Sequence, residues 1–232
     1  MIRDPRSIGD VDLAAVGAVL ADPARARVLL ALTDGRALAA TMLAQEAGVS
    51  PSTASHHLAR LLDAGFVTAV RRGRNRYFAL AGPLVAELIE AAARIAPAQP
   101  VTSLRQGTRA HAIRYARSCY DHLAGRLGVA VAETFVERGL LSEAPESFVV
   151  TEDGAAAFGE LGIDARPGET ARACLDWTEQ RVHVAGSLGR AVMSRLLELD
   201  WLSRDPVSRA VRLTDTGRSN IERRLRVELP AA

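Results

Sequence analysis

Three groups of residues in this 232-residue chain carry side chains that could do chemistry. The first is Ser50-Pro-Ser-Thr-Ala-Ser-His-His-Leu-Ala-Arg60. Here Ser52, Thr53, Ser55, His56, His57 and Arg60 offer small donors and acceptors, and no carboxylate occurs before Asp63. On a helix, such groups reach base edges and phosphates when the N-terminal turns enter a major groove. The positive end of the helix dipole adds attraction for phosphate. The second group is Arg71-Arg-Gly-Arg-Asn-Arg76, in which Arg71, Arg72, Arg74 and Arg76 fall within six residues and no acid lies between Asp63 and Glu87. Guanidinium forks suit phosphate and minor-groove contact. Either group alone also fits a solvated surface. Both together, in this order, point to double-stranded DNA as partner.

The third group repeats. His122-Leu-Ala-Gly-Arg-Leu-Gly-Val-Ala-Val131 and His183-Val-Ala-Gly-Ser-Leu-Gly-Arg-Ala-Val192 agree at seven of ten positions, 61 residues apart. Upstream, Arg117-Ser-Cys-Tyr-Asp121 matches Arg172-Ala-Cys-Leu-Asp176 at an offset of 55, and downstream Thr151-Glu-Asp-Gly154 matches Thr214-Asp-Thr-Gly217 at 63. Self-similarity at a nearly fixed offset marks duplicated structure. Each unit reads as helix, helix, hairpin, helix.

Cys119 and Cys174, the only cysteines, hold the same repeat position. On a helix, Cys119 and His122 would share a face. A sharp reading joins Cys119, His122, Cys174 and His183 as a thiol or soft-metal sensor. A plainer reading makes Cys a small core residue. The plainer one is preferred, because His follows Cys119 by three residues but Cys174 by nine, and a duplicated metal site should keep its ligand geometry. A third reading places an organic effector between the modules. Tyr115, Tyr120, Trp177 and Trp201 would supply aromatic surface, and Arg117 and Arg172 would fix an acidic group. The organic effector is favoured over the metal, and no cofactor is expected.

The elements that must position these groups are mostly helical. Asp22-Pro23 and Ser50-Pro51 are N-caps followed by proline at the first helical position, and Gly48 and Gly65 close helices. Phe66–Val70 and Arg76–Leu80 are β-prone around a Gly/Asn turn, so they form a hairpin. Pro83 opens a fifth helix with Leu84, Leu88 and Ile95 on its apolar face. Helix, helix, Gly-turn, helix, hairpin, helix is the order of a winged helix-turn-helix.

Residues about 11–97 resemble the ArsR/SmtB family of winged-helix repressors. The resemblance rests on "LADPARARVLLAL", "LAQEAGVSPSTASHHLARLLDAGFV" and "RRGRNRYFAL". It implies a homodimer, built through the first and fifth helices, on a pseudo-palindromic operator, with repression relieved by a ligand. The family's metal sites do not carry over. Arg36–Leu43 holds no Cys where thiolates would stand, and no His occurs between Pro83 and Pro97.

Composition sets the outer bounds. All 29 basic residues are Arg, against 27 acids, for a net charge of +2. The first 100 residues hold 11 Arg and 9 acids, so the small excess lies there. Apolar content of 48% excludes whole-chain disorder, and 4% aromatics leave the core to Ala, Leu and Val. No apolar run approaches the ~20 residues of a membrane span. Met1–Pro5 has no apolar segment of a secretory signal, and two Cys make no disulfide framework, so a reduced cytoplasm is expected.

The absence of paired carboxylates, a phosphate loop or a triad argues against an enzyme. Ser187 in Gly186-Ser-Leu-Gly189 sits on an expected helix opposite Arg126 in the repeat. The expected architecture is mainly α with short β-hairpins. A DNA-binding winged helix-turn-helix spans residues 1–97 and a linker 98–108. A duplicated sensor half spans 109–232, with modules of about 109–165 and 166–232. The expected function is transcriptional repression released by a small-molecule effector. Alternatives are a thiol- or metal-responsive repressor using Cys119 and Cys174, or a constitutive repressor with a structural second half.

Overall fold

A computed structural model describes residues 11–97, 104–205 and 208–231, without the side chains of 104–106. The described residues form two compact units. One takes in the chain up to Ala31 together with Ala37–Gly82; the other takes in Leu32–Arg36 and the chain from Pro83 on.

The first unit contains α1 (Leu13–Leu20), α2 (Pro23–Leu32), β1 (Leu38–Ala39), α3 (Ala40–Ala47), α4 (Pro51–Asp63), β2 (Val67–Arg72) and β3 (Asn75–Leu80). Local chemistry sets the boundaries as the sequence suggests. The Asp22 carboxylate accepts the backbone N–H groups of Ala24 and Arg25 at 2.9 and 3.0 Å, capping α2 ahead of Pro23. Ser50 caps α4 by accepting from Thr53 N–H, with Pro51 in the first turn. Gly48 ends α3 in the left-handed conformation that glycine adopts without penalty. Leu38 and Ala39, just ahead of α3, are extended. They pair with Phe78 and Tyr77 and add a third strand, giving the order β1-β3-β2. Val28, Leu29, Leu43, Ala47, Ala54, Leu58, Leu61, Phe66 and Phe78 form the core.

The second unit opens with α5 (Pro83–Ile95) and α6 (Leu104–Tyr115). The linker expected over 98–108 is therefore helical from Leu104, and 98–103 lie outside the described residues. Two copies of one module follow. The first is β4 (Arg117–Cys119), β5 (His122–Ala124), α7 (Gly125–Glu137), β6 (Leu141–Ala144), β7 (Ser147–Val150) and α8 (Glu152–Glu160). The second is β8 (Thr170–Leu175), β9 (Val182–Ala185), α9 (Gly186–Glu198), β10 (Leu202–Arg204), β11 (Val211–Leu213) and α10 (Asp215–Asn220), whose end widens into a π turn.

The two modules share one order of elements, which differs from the expected order at its start. Each module begins with a hairpin, where a helix was expected, so its order is hairpin, helix, hairpin, helix. The segments Arg-x-Cys-φ are extended because they pair, Cys119 opposite His122 and Cys174 opposite His183.

The modules interlock. β8 joins the first module's hairpin in a sheet of order β6-β7-β8-β9, while α7 packs on β9 and α9 packs on β5. The shared core runs through Leu127, Phe135, Phe148, Phe158, Leu188, Met193 and Trp201, with Phe135 edge-on to Phe158 at 5.2 Å. The repeated glycines Gly128 and Gly189 seat each long helix on its own hairpin. A Cβ at either would lie 2.6 Å from the Leu123 carbonyl oxygen or 2.4 Å from that of Val184. In both helices the neighbour that leaves no room for a Cβ is a strand carbonyl.

Candidate DNA interface and a thiol–imidazole centre

α4 buries one face and presents the other. Ala54, Leu58 and Leu61 are in the core, whereas Ser52, Thr53, Ser55, His56 and Arg60 are exposed. The small hydroxyls are held in order along the first turn. Ser50 Oγ lies 2.9 Å from Ser52 Oγ and 2.8 Å from Thr53 Oγ1, and Ser55 Oγ donates to the Pro51 carbonyl at 2.9 Å. Of the residues expected to reach DNA, His57 stands apart. It is half-buried, with Nδ1 3.8 Å from the Asp22 carboxylate, so it faces α2.

The wing is the β2–β3 hairpin, closed by Gly73 and Arg74 with Gly73 at φ +60°, the backbone that a two-residue hairpin turn of type II′ requires. Arg71, Arg72, Arg74 and Arg76 are all exposed at its tip. Arg72 lies over Tyr77 at 5.9 Å and Arg76 over Phe78 at 5.1 Å, which steadies their stems. These side chains are not neutralised by acids in their own hairpin, which leaves them free for phosphate oxygens.

In the second unit the structure gathers four side chains that sequence spacing had seemed to separate. The ligand-type atoms of Cys119, His122, Cys174 and His183 all lie within 4.8 Å of one another. This overturns the argument from unequal spacing. Two residues separate Cys119 from His122 and eight separate Cys174 from His183, but the extra residues form the loop between β8 and β9. Cross-strand register places each Cys opposite its His in both hairpins.

The two imidazoles meet with Nε2 atoms 3.2 Å apart. Each turns its Nδ1 toward the aspartate that ends its repeat motif, His122 toward Asp121 at 3.2 Å and His183 toward Asp176 at 3.6 Å. Cys119, His122 and His183 are buried, and Cys174 is partly exposed.

The electrostatics follow from these neighbours. Hydrogen bonding with the Cys119 thiol holds Cys174 well below the ordinary thiol range against its own burial, and His122 and His183 reinforce this. The same bond, together with burial, pushes Cys119 well above it. Burial disfavours the His122 cation, but hydrogen bonds to Asp121 and Cys174 outweigh it, so its pKa is raised. Asp176 is held far below the usual carboxylate range: burial opposes ionisation, and the Arg117 guanidinium overcomes it.

The duplication is not symmetric around this centre. On one side Arg117, fully buried, donates to Asp176 at 2.9 Å and lies over the Trp177 ring at 4.9 Å. Its repeat mate Arg172 is half exposed and pairs instead with Glu87 of α5. That side opens into a cleft of about 280 Å³ between α5 and the hairpins, whose walls include Glu87, Glu90, Cys119, Tyr120, His122, Arg172 and Cys174.

The effector residues expected from sequence therefore divide. Tyr120, Arg172, Cys119, His122 and Cys174 reach the cleft. Arg117 is consumed by Asp176. Tyr115 lies under Arg126, Trp177 under Arg117, and Trp201 in the core under Arg224. No shared aromatic groove forms from them among the described residues. Glu87 and Glu90 of α5 are parts of the cleft that sequence reasoning missed as site residues. Ser187, the other residue weighed for chemistry, donates to Glu169 at 3.2 Å on the surface.

Comparison with known proteins bears on the helix-turn-helix unit and on the chain as a whole. A family model described as a helix-turn-helix domain matches residues 20–70. The uncharacterized HTH-type transcriptional regulator YdfF of Bacillus subtilis is 41% identical over 223 residues, covering 94% of this chain and 99% of that protein. The likeness therefore runs through the duplicated half as well. The HTH-type transcriptional regulator CmtR of Mycobacterium tuberculosis is 37% identical over 97 residues, 40% of this chain and 81% of that protein. Among solved structures, the homodimeric winged helix-turn-helix fragment of Mb0332 from Mycobacterium bovis, a possible ArsR-family regulator, is 31% identical. It covers 37% of this chain and 85% of that one, with a TM-score of 0.32. Among the described residues no helix is long and apolar enough to cross a membrane. A helix-turn-helix match in the first unit and a relative 41% identical over nearly the whole of both chains make this chain a member of the HTH-type transcriptional regulators.

Proposed function

We propose that the chain acts as a homodimeric repressor whose two copies of α4 enter successive major grooves of a pseudo-palindromic operator. In this reading the wing arginines grip the flanking backbone, and an effector bound in the second unit releases the DNA. The observation that carries the reading is the exposed surface of α4, free of carboxylates from Pro51 to Arg60, together with a four-Arg wing. One recognition helix contacts few base pairs, so specific affinity calls for two half-sites about 34–36 Å apart.

Apolar surface left uncovered in the single chain supports pairing. α1 buries none of its residues, Leu13 is 73% exposed, and on α5 Leu84 and Ile95 are 78% and 88% exposed. Ala86, Ile89 and Glu90 are the buried residues of α5, which leaves Leu84 and Ile95 of its apolar face available to a second copy.

The effector acts by population shift: it favours an arrangement in which the recognition helices no longer match the half-sites. The test is fluorescence anisotropy of the full chain on the DNA upstream of its own gene, at fixed salt. Tight binding that scrambled DNA does not compete away supports the proposal. Equal affinity for both DNAs, or a monomer in sedimentation at working concentration, overturns it.

A further inference from the structure

We propose that Cys119, His122, Cys174 and His183 form a four-coordinate site for a thiophilic divalent cation of the zinc and cadmium class. Two sulfurs and two imidazole nitrogens are the donor set such ions favour, and the cluster of four itself includes no carboxylate of the kind that suits magnesium or calcium. The spacing fits. With metal–sulfur bonds of about 2.3 Å and metal–nitrogen bonds of about 2.0–2.1 Å, the edges of a tetrahedron are roughly 3.3–3.8 Å. The two Nε2 atoms are already 3.2 Å apart, and all four donors lie within 4.8 Å.

The hydrogen-bond pattern carries the same message. Each imidazole turns Nδ1 to an aspartate, the arrangement that leaves Nε2 with its lone pair. Two lone pairs pointed at each other in a buried place repel unless a proton or a cation lies between them. His183 Nδ1 also lacks a hydrogen bond as it stands, 3.6 Å from Asp176. A small rotation of the ring onto a metal at Nε2 would close that gap.

The duplication explains how such a site arises. Each module supplies one cross-strand Cys–His pair with its own orienting aspartate, and the interlocked packing brings the pairs face to face. Cys174, partly exposed at the floor of the cleft beside α5, gives the ion a way in. Because α5 follows the wing after only Ala81 and Gly82, an ion that tightens the cleft can act on the DNA-binding unit through the chain itself. That last consequence rests on the reading under Proposed function, whereas the ion site does not.

The full chain, stripped with a chelator and kept reduced with a non-thiol reductant, is titrated with Co²⁺ alone and then with Zn²⁺. One Co²⁺ per chain, visible bands of tetrahedral intensity, thiolate charge-transfer absorption and displacement by one equivalent of Zn²⁺ support the site. Cys174→Ser and His183→Gln should abolish the charge-transfer bands or bleach the tetrahedral ones. Asp121→Asn, which leaves all four ligands in place, should weaken affinity about 10–100-fold. The absence of tetrahedral bands in a folded protein overturns the proposal, as do bands that survive Cys119→Ser combined with Cys174→Ser. So does a Cys119–Cys174 disulfide that forms readily while the reduced protein binds no metal. Tetrahedral Co²⁺ in a protein that never binds its upstream DNA would uphold the site and overturn the repressor reading, so the two can fail separately.

Discussion

Replacing Asp176 with alanine removes the acceptor at the sealed side of the duplicated half. Its carboxylate takes the Arg117 guanidinium at 2.9 Å, Gly125 N–H at 2.7 Å, Thr178 N–H at 2.9 Å and the Thr178 hydroxyl at 2.7 Å. Both Asp176 and Arg117 have no side-chain exposure. The substitution therefore leaves a guanidinium in the interior with only the Ile113 carbonyl at 3.3 Å, the Thr178 hydroxyl at 3.2 Å and the Trp177 ring. Orphaning one member of a buried ion pair costs about 3–5 kcal/mol. For a chain of this size that corresponds to a fall of roughly 6–20 °C in Tm.

Urea denaturation followed by far-UV circular dichroism, on reduced and metal-free protein, measures it. The companion variant, Arg117→Met with Asp176→Leu, removes both charges and should recover most of the loss, because a buried ion pair replaced by apolar groups of similar volume is often neutral. A single variant that loses less than about 1 kcal/mol, or a double variant as unstable as the single, would refute the reasoning that the unpaired charge sets the cost.

Other outcomes follow from the same geometry. Ser55→Ala with His56→Ala should abolish discrimination between specific and scrambled DNA while leaving the circular dichroism spectrum unchanged; undiminished discrimination would remove α4 from the interface. If two to four wing arginines per protomer meet phosphates, the slope of log K against log salt should be about −4 to −7 for the dimer. Neutralising Arg72 and Arg74 should flatten it by about 2–4, and an unaltered slope would place the wing away from the backbone.

Asp22→Ala should cost about 1 kcal/mol by uncapping α2. Hydrogen bonding from Arg25 N–H lowers the Asp22 pKa in the fold. The stability it provides is therefore present above the unfolded carboxylate pKa and lost as pH falls through the folded one. The wild-type advantage should vanish in acid, and one that persisted there would count against the cap. Gly189→Ala, whose Cβ would meet the Val184 carbonyl at 2.4 Å and His122 Cβ at 3.1 Å, should lower Tm and disturb any metal spectrum. A change in neither would show that α9 does not seat on the centre.

The DNA-binding unit was legible because its signals are local. Asp22-Pro23, Ser50-Pro51, Gly48 and the Gly73 turn each fix a boundary within a few residues, and the apolar stripe Ala54, Leu58, Leu61 fixes which face of α4 is hidden. The four residues of the centre were also visible as a repeated pattern, but their geometry was not. Distance along the chain was taken as distance in space, which holds on a helix and fails across a hairpin, where register decides the neighbour and the loop absorbs any excess. Arg-Ser-Cys was read as helical because nothing local shows that Arg117–Cys119 will pair with His122–Ala124. The break in symmetry was hidden for a similar reason. Arg117 and Arg172 are equivalent in sequence, and only the packing of α5 and the Trp177 loop makes one a buried structural charge and the other a gate post on the cleft.

Hydroxyl-radical footprinting of the full chain on the DNA upstream of its own gene tests the central claim most directly. The account predicts two protected patches related by a dyad, their centres about one helical turn or 34–36 Å apart, with wing protection on the outer flanks. These should be lost together on Ser55→Ala with His56→Ala. A single unpaired patch, uniform protection without sequence preference, or a footprint unchanged by those substitutions would contradict it.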